Sequence, residues 1–399
     1  MVGASLALAL RGTGVSVLLV EPFPPESAQQ PSFDERTTAL GNGSRRAFEA
    51  LGLWERLLPE AAPIRRIHVS DAGRFGFARV EAGEFGLEAL GHVVPNRAIG
   101  RELWNALRAC DHVEACLPAQ VQAVACGEAA VRLQVTMAGT SHWREASLVV
   151  AADGARSMVR EAAGIGAVRR DYAQTAIVVP VRSDRPSDGT AFERFTTAGP
   201  MAVLPLRVAQ PGHWYTIVWA AAPDDAERLM ALDAAAFLQQ WQQAFGWRAG
   251  RALQLGRRVA YPLSLQQADT VVAPRTVLLG NASQSLHPVA GQGFNLGLRD
   301  AAELAECLAG ARASGQADLG DAALLSAYGE RRRADRRGVV RFTDTLVRLF
   351  SDPRPGPALL RDLGLLGFDL LPPAKRALGR VSLGFGRSQP RLTRGMPLA

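Results

Sequence analysis

Short apolar runs and amphipathic segments follow one another along the chain, and this order predicts an α/β fold. Val15–Val20 and Thr276–Leu279 are apolar runs of the length expected for buried strands. Gly3–Leu10 and Asp300–Leu308 lie beside them and carry the Ala/Leu spacing of helices that bury one face. Leu148–Ser157 predicts a third unit, with a buried strand, a tight turn and the start of a helix. Further helices are predicted at Arg45–Leu58, at Arg101–Arg108 and from about Leu324 onwards.

A second pattern, alternation of apolar and polar positions, appears within residues 167–270. It is found in Ala176–Val181, Met201–Arg207 and Trp214–Ala220, and it is typical of antiparallel strands. We expect these strands to form a sheet over a substrate pocket, and Ile67–Val80 to join that sheet. Pocket lining and core packing are equally good roles for the aromatic side chains on these strands, Phe192, Phe195, Trp214 and Trp219.

The connection that runs from Gly280 to Arg299 is rich in glycine. After Gly280 it carries one proline and three further glycines, at Pro288, Gly291, Gly293 and Gly297. Glycine lets the backbone come close to a flat ligand and turn its N–H groups toward anionic oxygens. A loop of this kind before a helix is suited to hold a phosphate or an electron-rich ring, although an ordinary glycine-rich turn has a similar composition.

Composition fits a folded enzyme and argues against a nucleic-acid-binding protein. The 399 residues are 48% hydrophobic and carry a formal net charge of +7. Lys375 is the single lysine, so the positive charge is almost all arginine. These arginines are spread along the chain instead of being clustered among aromatic residues, as a nucleic-acid surface would require. A chain of this length predicts two or three domains.

Cysteine and histidine positions predict neither a disulfide framework nor a metal site. The four cysteines lack metal-site and redox-motif spacing, which is typical of reduced residues in a cytoplasmic protein: Cys110, Cys116, Cys126 and Cys307. The six histidines are scattered, without a His-x-x-x-His pair. The apolar segment Ala4–Leu10 lacks the charged leader of a signal peptide, and no apolar run reaches the ~18 residues of a spanning helix.

Taken in order, these segments resemble the group A flavoprotein aromatic hydroxylases. Gly3 matches the last glycine of the Gly-x-Gly-x-x-Gly dinucleotide fingerprint, and Glu21 follows the second strand at the position of the ribose-binding acid. A narrower set of motifs is similar to the ubiquinone-biosynthesis hydroxylases: Asp34–Leu40, Phe192–Thr196, Gly199–Pro200, Leu204–Leu206 and the Gly280 segment.

Within that family the chain is most similar to the 2-polyprenyl-6-methoxyphenol hydroxylase branch. Asn281 stands in place of the usual aspartate, and Gln284 and His287–Pro288 follow it. The resemblance implies an FAD-dependent monooxygenase of ubiquinone biosynthesis that hydroxylates the ring of a polyprenylated phenol with NAD(P)H and O2, through a flavin C4a-hydroperoxide. Two alternatives remain. One is another flavin reaction on the same fold, such as prenyl reduction or halogenation, and the other is a flavin-deficient scaffold of a biosynthetic complex.

The resemblance also implies a domain organisation. A Rossmann-like FAD-binding domain would comprise residues 1–70, 99–166 and 271–335. A mostly antiparallel substrate-binding sheet would comprise residues 71–98 and 167–270, and a helical C-terminal region residues 336–399. The first Rossmann strand and two fingerprint glycines are missing from this chain. Either the natural protein starts upstream of Met1, which we favour because the downstream motifs are intact, or the chain is a fragment that binds flavin poorly.

Several residues match cofactor-binding positions of the family. Glu21 would bind the adenosine ribose, Arg36 the ribose or pyrophosphate, and Arg101 stands near the flavin where relatives often carry Gln. Asp153–Gly154 match the second cofactor fingerprint, which is linked to nicotinamide binding too, and Asn281 would meet the ribityl chain. The other implied contacts lie in the glycine-rich segments, with the last four bordering the isoalloxazine ring: Gly3, Gly280, Pro288, Gly291, Gly293 and Asn295.

No catalytic residue is evident from the sequence. His287 is a weak candidate for a base toward the phenol, since a residue before proline is conformationally restricted and often only packs. Simpler roles also fit the cofactor candidates: Glu21 suits the end of a strand, Arg36 a surface ion pair, and Asp153–Gly154 a tight turn.

Basic and apolar residues lie side by side near the C-terminus. The arginines are Arg331–Arg333, Arg336–Arg337 and Arg341, and the apolar residues are Phe342, Leu346, Val347, Leu349, Phe350 and much of Leu359–Leu371. This arrangement suits contact with an anionic membrane surface or a partner protein. It suits equally well helices that pack on the cofactor domain with solvated arginines. We therefore expect a cytoplasmic protein. A polyprenylated substrate would favour peripheral contact of this protein with the inner membrane.

Overall fold

The computed structural model describes residues 1–25, 27, 30, 36–196, 198–288 and 291–351, without the side chains of 346–351. In the C-terminal region it describes residues 361, 362, 364, 365, 367–369, 375, 379 and 389–398. The helices are α1 (Val2–Ala9), α2 (Asn42–Ala50), α3 (Trp54–Leu57), α4 (Asn96–Leu107), α5 (Met158–Ala162), α6 (Pro223–Ala231), α7 (Ala234–Phe245), α8 (Gln292–Ala313) and α9 (Ala322–Ser351).

The strands vary widely in length. They are β1 (Val17–Val20), β2 (Thr37–Gly41), β3 (Ala62–Ile64), β4 (Arg66–Asp71), β5 (Phe77–Glu81), β6 (Gly91–Pro95), β7 (Val113–Cys116), β8 (Ala119–Cys126), β9 (Val131–Met137), β10 (Thr140–Ala146), β11 (Val149–Ala151), β12 (Ala167–Ser183), β13 (Thr190–Thr196), β14 (Gly199–Leu206), β15 (His213–Ala221), β16 (Ala252–Leu255), β17 (Val259–Ala268), β18 (Val272–Ala273), β19 (Thr276–Leu278) and β20 (Gln284–Ser285).

The largest sheet of the described residues is mainly antiparallel. Its nine strands run in the order β20-β17-β12-β15-β14-β13-β4-β5, with β16 paired to β12, and only β13 and β4 pair in parallel. One core packs Ile177 and Met201 of this sheet with Phe237 of α7. Trp219 meets Phe237 edge to face, with 6.1 Å between the ring centroids, so packing is its role. The predicted antiparallel sheet is therefore confirmed.

Parallel strand pairs and helices form the other region. β1 pairs in parallel with β7, and β11 pairs in parallel with β19. Apolar residues of α1, α8 and α9 share one core, which includes Leu8, Leu304 and Tyr328. This combination of parallel strands with covering helices is the arrangement that the short apolar runs predicted. The mixed α/β fold class is confirmed.

Several element boundaries differ from the expectation. The helix predicted at Arg45–Leu58 is divided into α2 and α3, because Gly52 adopts a left-handed φ of 74° that ends the first helix. α4 begins at Asn96, before the predicted start at Arg101. β4, most of which lies within residues 1–70, belongs to the large sheet. β6, which lies within residues 71–98, pairs with β2 and β3 in a separate sheet.

The predicted C-terminal membrane-contact segment is only partly described. The side chains of Leu346, Val347, Leu349 and Phe350 and much of Leu359–Leu371 lie outside the described residues. Within the part of the chain that the structure describes, no helix combines the length and apolar character needed to cross a bilayer.

Candidate cofactor site

Three polar residues follow the carboxyl ends of parallel strands, the edge at which α/β proteins bind ligands. Glu21 comes directly after β1, and its main chain is fixed because its N–H donates to the carbonyl of Cys116 at 3.1 Å. Asp153 follows β11, and Asn281 follows β19. Both of these side chains are exposed, so their polar atoms are accessible to a ligand.

Glycines allow α1 to come close to its neighbours. A Cβ atom on Gly3 would lie 3.0 Å from the Cβ of Ala152. A Cβ on Gly297 of α8 would lie 3.0 Å from Val2, and one on Gly280 would lie 3.2 Å from the same side chain. Gly280 also has a left-handed φ of 54°. Packing of α1 against the loops after β11 and β19 therefore accounts for Gly3 and Gly280 before any ligand is considered.

The first turn of α8 is open on one side. Gly291 precedes the helix with a left-handed φ of 59°, and its N–H donates to the carbonyl of Pro288 at 2.9 Å. Gly293 is exposed, and a Cβ atom there would meet nothing within 4 Å. The first N–H groups of a helix lack intrahelical partners and attract electron-rich ligands. A ligand can therefore approach the backbone at Gly293 closely.

Asn295 is occupied by protein contacts. Its Oδ1 accepts hydrogen bonds from the N–H of Gly41 at 2.9 Å and from the hydroxyl of Ser44 at 2.7 Å. Its Nδ2 donates to the carbonyls of Ala39 at 2.8 Å and Gly291 at 2.7 Å. A side-chain amide has two donors and an acceptor oxygen with two lone pairs, so its bonding capacity is filled. Asn295 joins the end of β2 and the start of α2 to the start of α8.

The two arginines predicted near the cofactor have different surroundings. The Arg36 guanidinium lies 5.1 Å from the centroid of the Tyr261 ring. Arg101 donates to Glu60 at 2.8 Å and to Glu102 at 2.9 Å. Burial by itself would raise the pKa of Glu60. The hydrogen bond and the positive charge of Arg101 are among the effects that outweigh burial, so the pKa of Glu60 lies below its usual value. Arg101 is therefore held by carboxylates of the protein itself.

Arg160 connects two of the predicted cofactor loops, and the sequence did not single it out. Its guanidinium donates to the carbonyl of Ala155 at 2.9 Å and to that of Ala282 at 3.2 Å. These carbonyls lie just after Asp153–Gly154 and Asn281, respectively. An arginine in the first turn after an Asp-Gly pair was the available signal, but its two carbonyl acceptors are visible only in the fold.

His287 lies where the large sheet meets the glycine-rich segment. Its Nε2 is 3.1 Å from the side-chain oxygen of Gln174, and its ring meets Tyr172 edge to face at 5.0 Å. A bulge in β12 places both partners, since the pairing register with β17 shifts there and Ala173 takes a left-handed φ of 51°. Burial lowers the pKa of His287 to about 4, so the ring is neutral near pH 7.

A buried charge network supports the segment that leads to His287. Arg332 of α9 donates to Asp300 at 2.7 Å and to Asp335 at 2.6 Å. Gln284 of β20 donates to Asp300 at 3.0 Å and accepts from Arg336 at 2.6 Å. Arg299 of α8 also donates to Asp335, at 3.1 Å. We call this set the α8–α9 charge network: Gln284, Arg299, Asp300, Arg332, Asp335 and Arg336. Two arginines of the predicted basic surface, Arg332 and Arg336, therefore have partners inside the protein.

Known proteins resemble this chain along almost its whole length. Residues 1–343 match the family described as FAD binding domain. Ubiquinone hydroxylase UbiL of Rhodospirillum rubrum is 38% identical, over 100% of this chain and 91% of the relative. The 3-demethoxyubiquinol 3-hydroxylase of Escherichia coli is 32% identical, over 96% of each protein.

Solved structures share the fold at low sequence identity. p-Nitrophenol 4-monooxygenase PnpA of Pseudomonas putida aligns with a TM-score of 0.78 at 19% identity, over 97% of this chain and 96% of that one. PqsL of Pseudomonas aeruginosa aligns with a TM-score of 0.75 at 21% identity, over 92% of this chain and 96% of that one. The match over residues 1–343 and the full-length relatives confirm the predicted family and cofactor: the chain belongs to the FAD-binding family and is an FAD-dependent monooxygenase.

Proposed function

We propose that this enzyme hydroxylates the aromatic ring of a polyprenylated phenol in ubiquinone biosynthesis, with FAD as cofactor and NAD(P)H and O2 as co-substrates. The proposal rests on one observation. The bulge of β12 in the large sheet contacts His287, and His287 lies a few residues before the open first turn of α8. It occurs in a chain whose relatives, over nearly their whole length, are named for hydroxylation of ubiquinone or demethoxyubiquinol. The 2-polyprenyl-6-methoxyphenol type remains our choice of substrate.

The residues at the proposed cofactor site fit FAD. Glu21 and Asp153 supply carboxylates after strand ends, where ribose hydroxyls can donate to them. The open backbone at Gly293 suits an electron-rich ring. The side-chain oxygen of Asn42, buried at the start of α2, has no hydrogen-bond partner among the described residues. An unsatisfied buried acceptor beside a predicted ligand site is consistent with a donor supplied by that ligand.

The remaining predicted cofactor contacts keep their roles in this proposal. Arg36 would contact the ribose or pyrophosphate, Gly154 would belong to the second cofactor loop, and Asn281 would bind the ribityl chain. Gly3 and Gly280 would act by allowing close packing of α1, and Asn295 by holding the start of α8 in place. Arg101 would act through its pairs with Glu60 and Glu102. Pro288 and Gly291 would border the flavin ring.

Bound FAD, once reduced by NAD(P)H, supplies the activation of dioxygen that side chains cannot provide. The chain itself must bind the phenol, orient its ring and exclude water. The large sheet is suited to this, because its edge strand β20 leads directly into the segment before α8. A substrate held against β12 and β17 would therefore lie next to the cofactor loop.

His287 is proposed as a positioning residue instead of a catalytic base. Its pKa of about 4 makes the neutral ring a weak base, whereas an ordinary phenol has a pKa of about 10. The contact with Gln174 and the packing against Tyr172 are suited to fixing the loop between β20 and α8. Replacement of His287 should therefore affect substrate positioning without removing a titrating base.

The predicted domain organisation and membrane contact also belong to the proposal. The cofactor domain would contain the parallel pairs, and the substrate domain most of the large sheet. Peripheral contact with the inner membrane draws support from the exposed Arg337 and Arg341 and from the polyprenylated substrate. Polar replacement of Phe342, Leu346 and Phe350 should abolish liposome binding. Unchanged binding of a folded variant would contradict the membrane contact.

The cofactor site can be tested with two matched glycine variants. Gly293 and Gly310 both lie in α8, and a Cβ atom at either would meet nothing within 4 Å. Gly293→Val should weaken FAD binding at least tenfold because its side chain fills the space proposed for the flavin, while Gly310→Val should not. The visible flavin spectrum during titration with FAD measures both, and melting of the FAD-free proteins controls for folding. Equal FAD affinity in the two variants would contradict the site.

The reaction can be tested with labelled dioxygen. Flavin-loaded enzyme, NAD(P)H and a polyprenylphenol should incorporate one atom of ¹⁸O into the ring, as read by mass spectrometry. A product with two added hydrogens and no label would indicate prenyl reduction, and a halogenated product would indicate halogenation. Protein that retains no flavin and forms no product would favour the scaffold alternative.

A further inference from the structure

An arginine-lined cleft opens on the large sheet, beside the end of α7, and none of the residues proposed for FAD lines it. The cavity measures about 470 Å³, and its lining includes His68 and Phe192 together with Arg66, Arg79, Arg185 and Arg248. We call it the arginine cleft. Phe192 packs edge to face on Phe245 of α7 at 5.5 Å, which places the cleft on the side of the sheet that carries α7.

Positive charge in the arginine cleft exceeds the negative charge near it. Arg248 donates to the hydroxyl of Ser70 at 3.3 Å, and Arg194 donates to the same oxygen at 3.5 Å. Two guanidinium groups therefore converge on one neutral atom. Within the described residues, neither of them nor Arg185 forms an ion pair with a carboxylate. Burial and the charge of Arg248 lower the pKa of Arg194, and the negative charge of Asp71 offsets them only in part.

One arginine of the cleft, Arg66, is paired with carboxylates, in contrast to Arg185 and Arg248. Arg66 pairs with Glu81 at 2.9 Å and with Asp188 at 3.3 Å. Of these two carboxylates, Asp188 itself lines the cavity, where it is paired with Arg66, and Glu81 is not among the lining residues. Arg185 and Arg248 are both exposed and line the same cavity, so their guanidinium groups are accessible to a ligand.

His68 provides an independent sign of a missing ligand. It is only 7% exposed, it lines the cavity, and its Nε2 has no hydrogen-bond partner in the described part of the chain. Its ring is held between Phe77 and Phe192, at centroid distances of 5.9 Å and 6.0 Å. A buried polar atom normally finds a partner, and an imidazole fixed in this way can donate a hydrogen bond to an anion.

We propose that the arginine cleft binds a phosphate-bearing anion. Guanidinium groups match phosphate oxygens with paired, charge-assisted hydrogen bonds, and several of them around one cavity favour a dianion over a single carboxylate. The cavity is also within the ~300–1,000 Å³ range of small-molecule sites, so it accommodates more than a bare phosphate ion. The source of the phosphate is either a soluble phosphorylated compound or a lipid headgroup. The proposal does not depend on the substrate proposed for the enzyme.

The test uses FAD-saturated enzyme, so that the proposed cofactor site is filled. Pyrophosphate and inorganic phosphate are titrated by calorimetry in one arm. In the other arm, vesicles of phosphatidylcholine with and without phosphatidylglycerol are tested by cosedimentation. The cleft variant is Arg185→Gln with Arg248→Gln. The matched control is Arg144→Gln with Arg228→Gln, which removes the same charge from two exposed ion pairs elsewhere.

Binding in at least one arm, weakened about tenfold or more by the cleft variant and less than about twofold by the control, is the expected result. Binding of pyrophosphate or phosphate would identify a soluble phosphorylated compound as the source. Binding only to anionic vesicles would identify a lipid headgroup. Absence of binding in both arms would overturn the proposal. Equal losses in the cleft and control variants would also overturn it, because they would indicate a nonspecific effect of net charge. Melting of each variant shows that the fold is intact.

Discussion

Arginines in two parts of this enzyme have opposite surroundings. In the α8–α9 charge network, Arg332 is 2% exposed and contacts two carboxylates, Asp300 and Asp335. At the arginine cleft, Arg248 and the neighbouring Arg194 both donate to the hydroxyl of Ser70, and Arg194 also donates to the carbonyl of Ala244. Neither forms an ion pair with a carboxylate among the described residues. A buried cation without a carboxylate is costly, so the pairing of Arg332 with two aspartates is expected beneath α8. The unpaired cations of the cleft are tolerated because solvent, or a ligand, reaches them.

The difference separates structural charge from charge that is available for binding. The network ties α9 to α8 and to Gln284, three residues before His287. Removing Arg332 leaves Asp300 buried without the cation that it contacts. Removing a cation from the cleft instead relieves repulsion. Opposite effects on folding stability are therefore expected from similar substitutions in the two places.

The largest effect is expected for Arg332→Met. Asp300, which is 1% exposed, would lose its buried cation, and the free energy of unfolding should fall by about 3–5 kcal/mol. Urea unfolding monitored by circular dichroism measures this change. Combining Arg332→Met with Asp300→Leu should recover a substantial part of the loss, since both charges are then absent. A cost below about 1 kcal/mol for the single variant would contradict the structural role of this pair.

A smaller loss is expected for Asn295→Ala, which tests a neutral group with a full set of partners. The substitution would leave the N–H of Gly41 and the hydroxyl of Ser44 without their acceptor, so about 2–3 kcal/mol of stability should be lost. Asn42→Ala is the control, because the side-chain oxygen of Asn42 has no partner among the described residues. In FAD-free protein its cost should be clearly smaller. Equal costs in urea unfolding would argue against the distinction.

The pH dependence of stability tests the pairing of Asp335. Burial raises the pKa of this carboxyl, but the charges of Arg299 and Arg332 outweigh burial and hold it below the ordinary value of 3.8. A depressed folded-state pKa contributes stability above the unfolded value, and this contribution is lost as pH falls through the folded value. Asp335→Asn should therefore flatten the stability curve below pH 3.8, as measured by urea unfolding at several pH values. Parallel curves for the two proteins would contradict this assignment.

The smallest effect is expected for Arg248→Gln in the arginine cleft. Without added phosphate, the free energy of unfolding should change by less than about 0.5 kcal/mol, and at low salt any change should be stabilising because repulsion with Arg194 is reduced. Urea unfolding at low and at moderate salt measures it. A loss as large as that of Arg332→Met would show that Arg248 has a structural role.

Periodicity explains why much of the fold could be predicted from the sequence. Runs such as Thr276–Leu279 and the alternation in Trp214–Ala220 depend on neighbours in the chain, and β19 and β15 formed there. The end of α2 at Ala50 was missed, because the helical spacing of apolar residues continues at Leu53, Trp54 and Leu57 and outweighed the local sign of Gly52. The glycine-rich segment could also be located from the sequence, because its glycines and proline lie close together in the chain.

The sequence by itself determined the α/β class, the presence of a mainly antiparallel sheet and the cofactor family, because these depend on local spacing and short motifs. Only the tertiary structure decided which polar groups are available. It showed the amide of Asn295 already bonded across more than 250 residues to Gly41 and Ser44, and Arg332 turned inward onto Asp300. It also brought Arg194 and Arg248 together at Ser70. Charge and hydrogen-bonding capacity are local properties of a residue, but whether they are already satisfied depends on partners that only folding brings into contact.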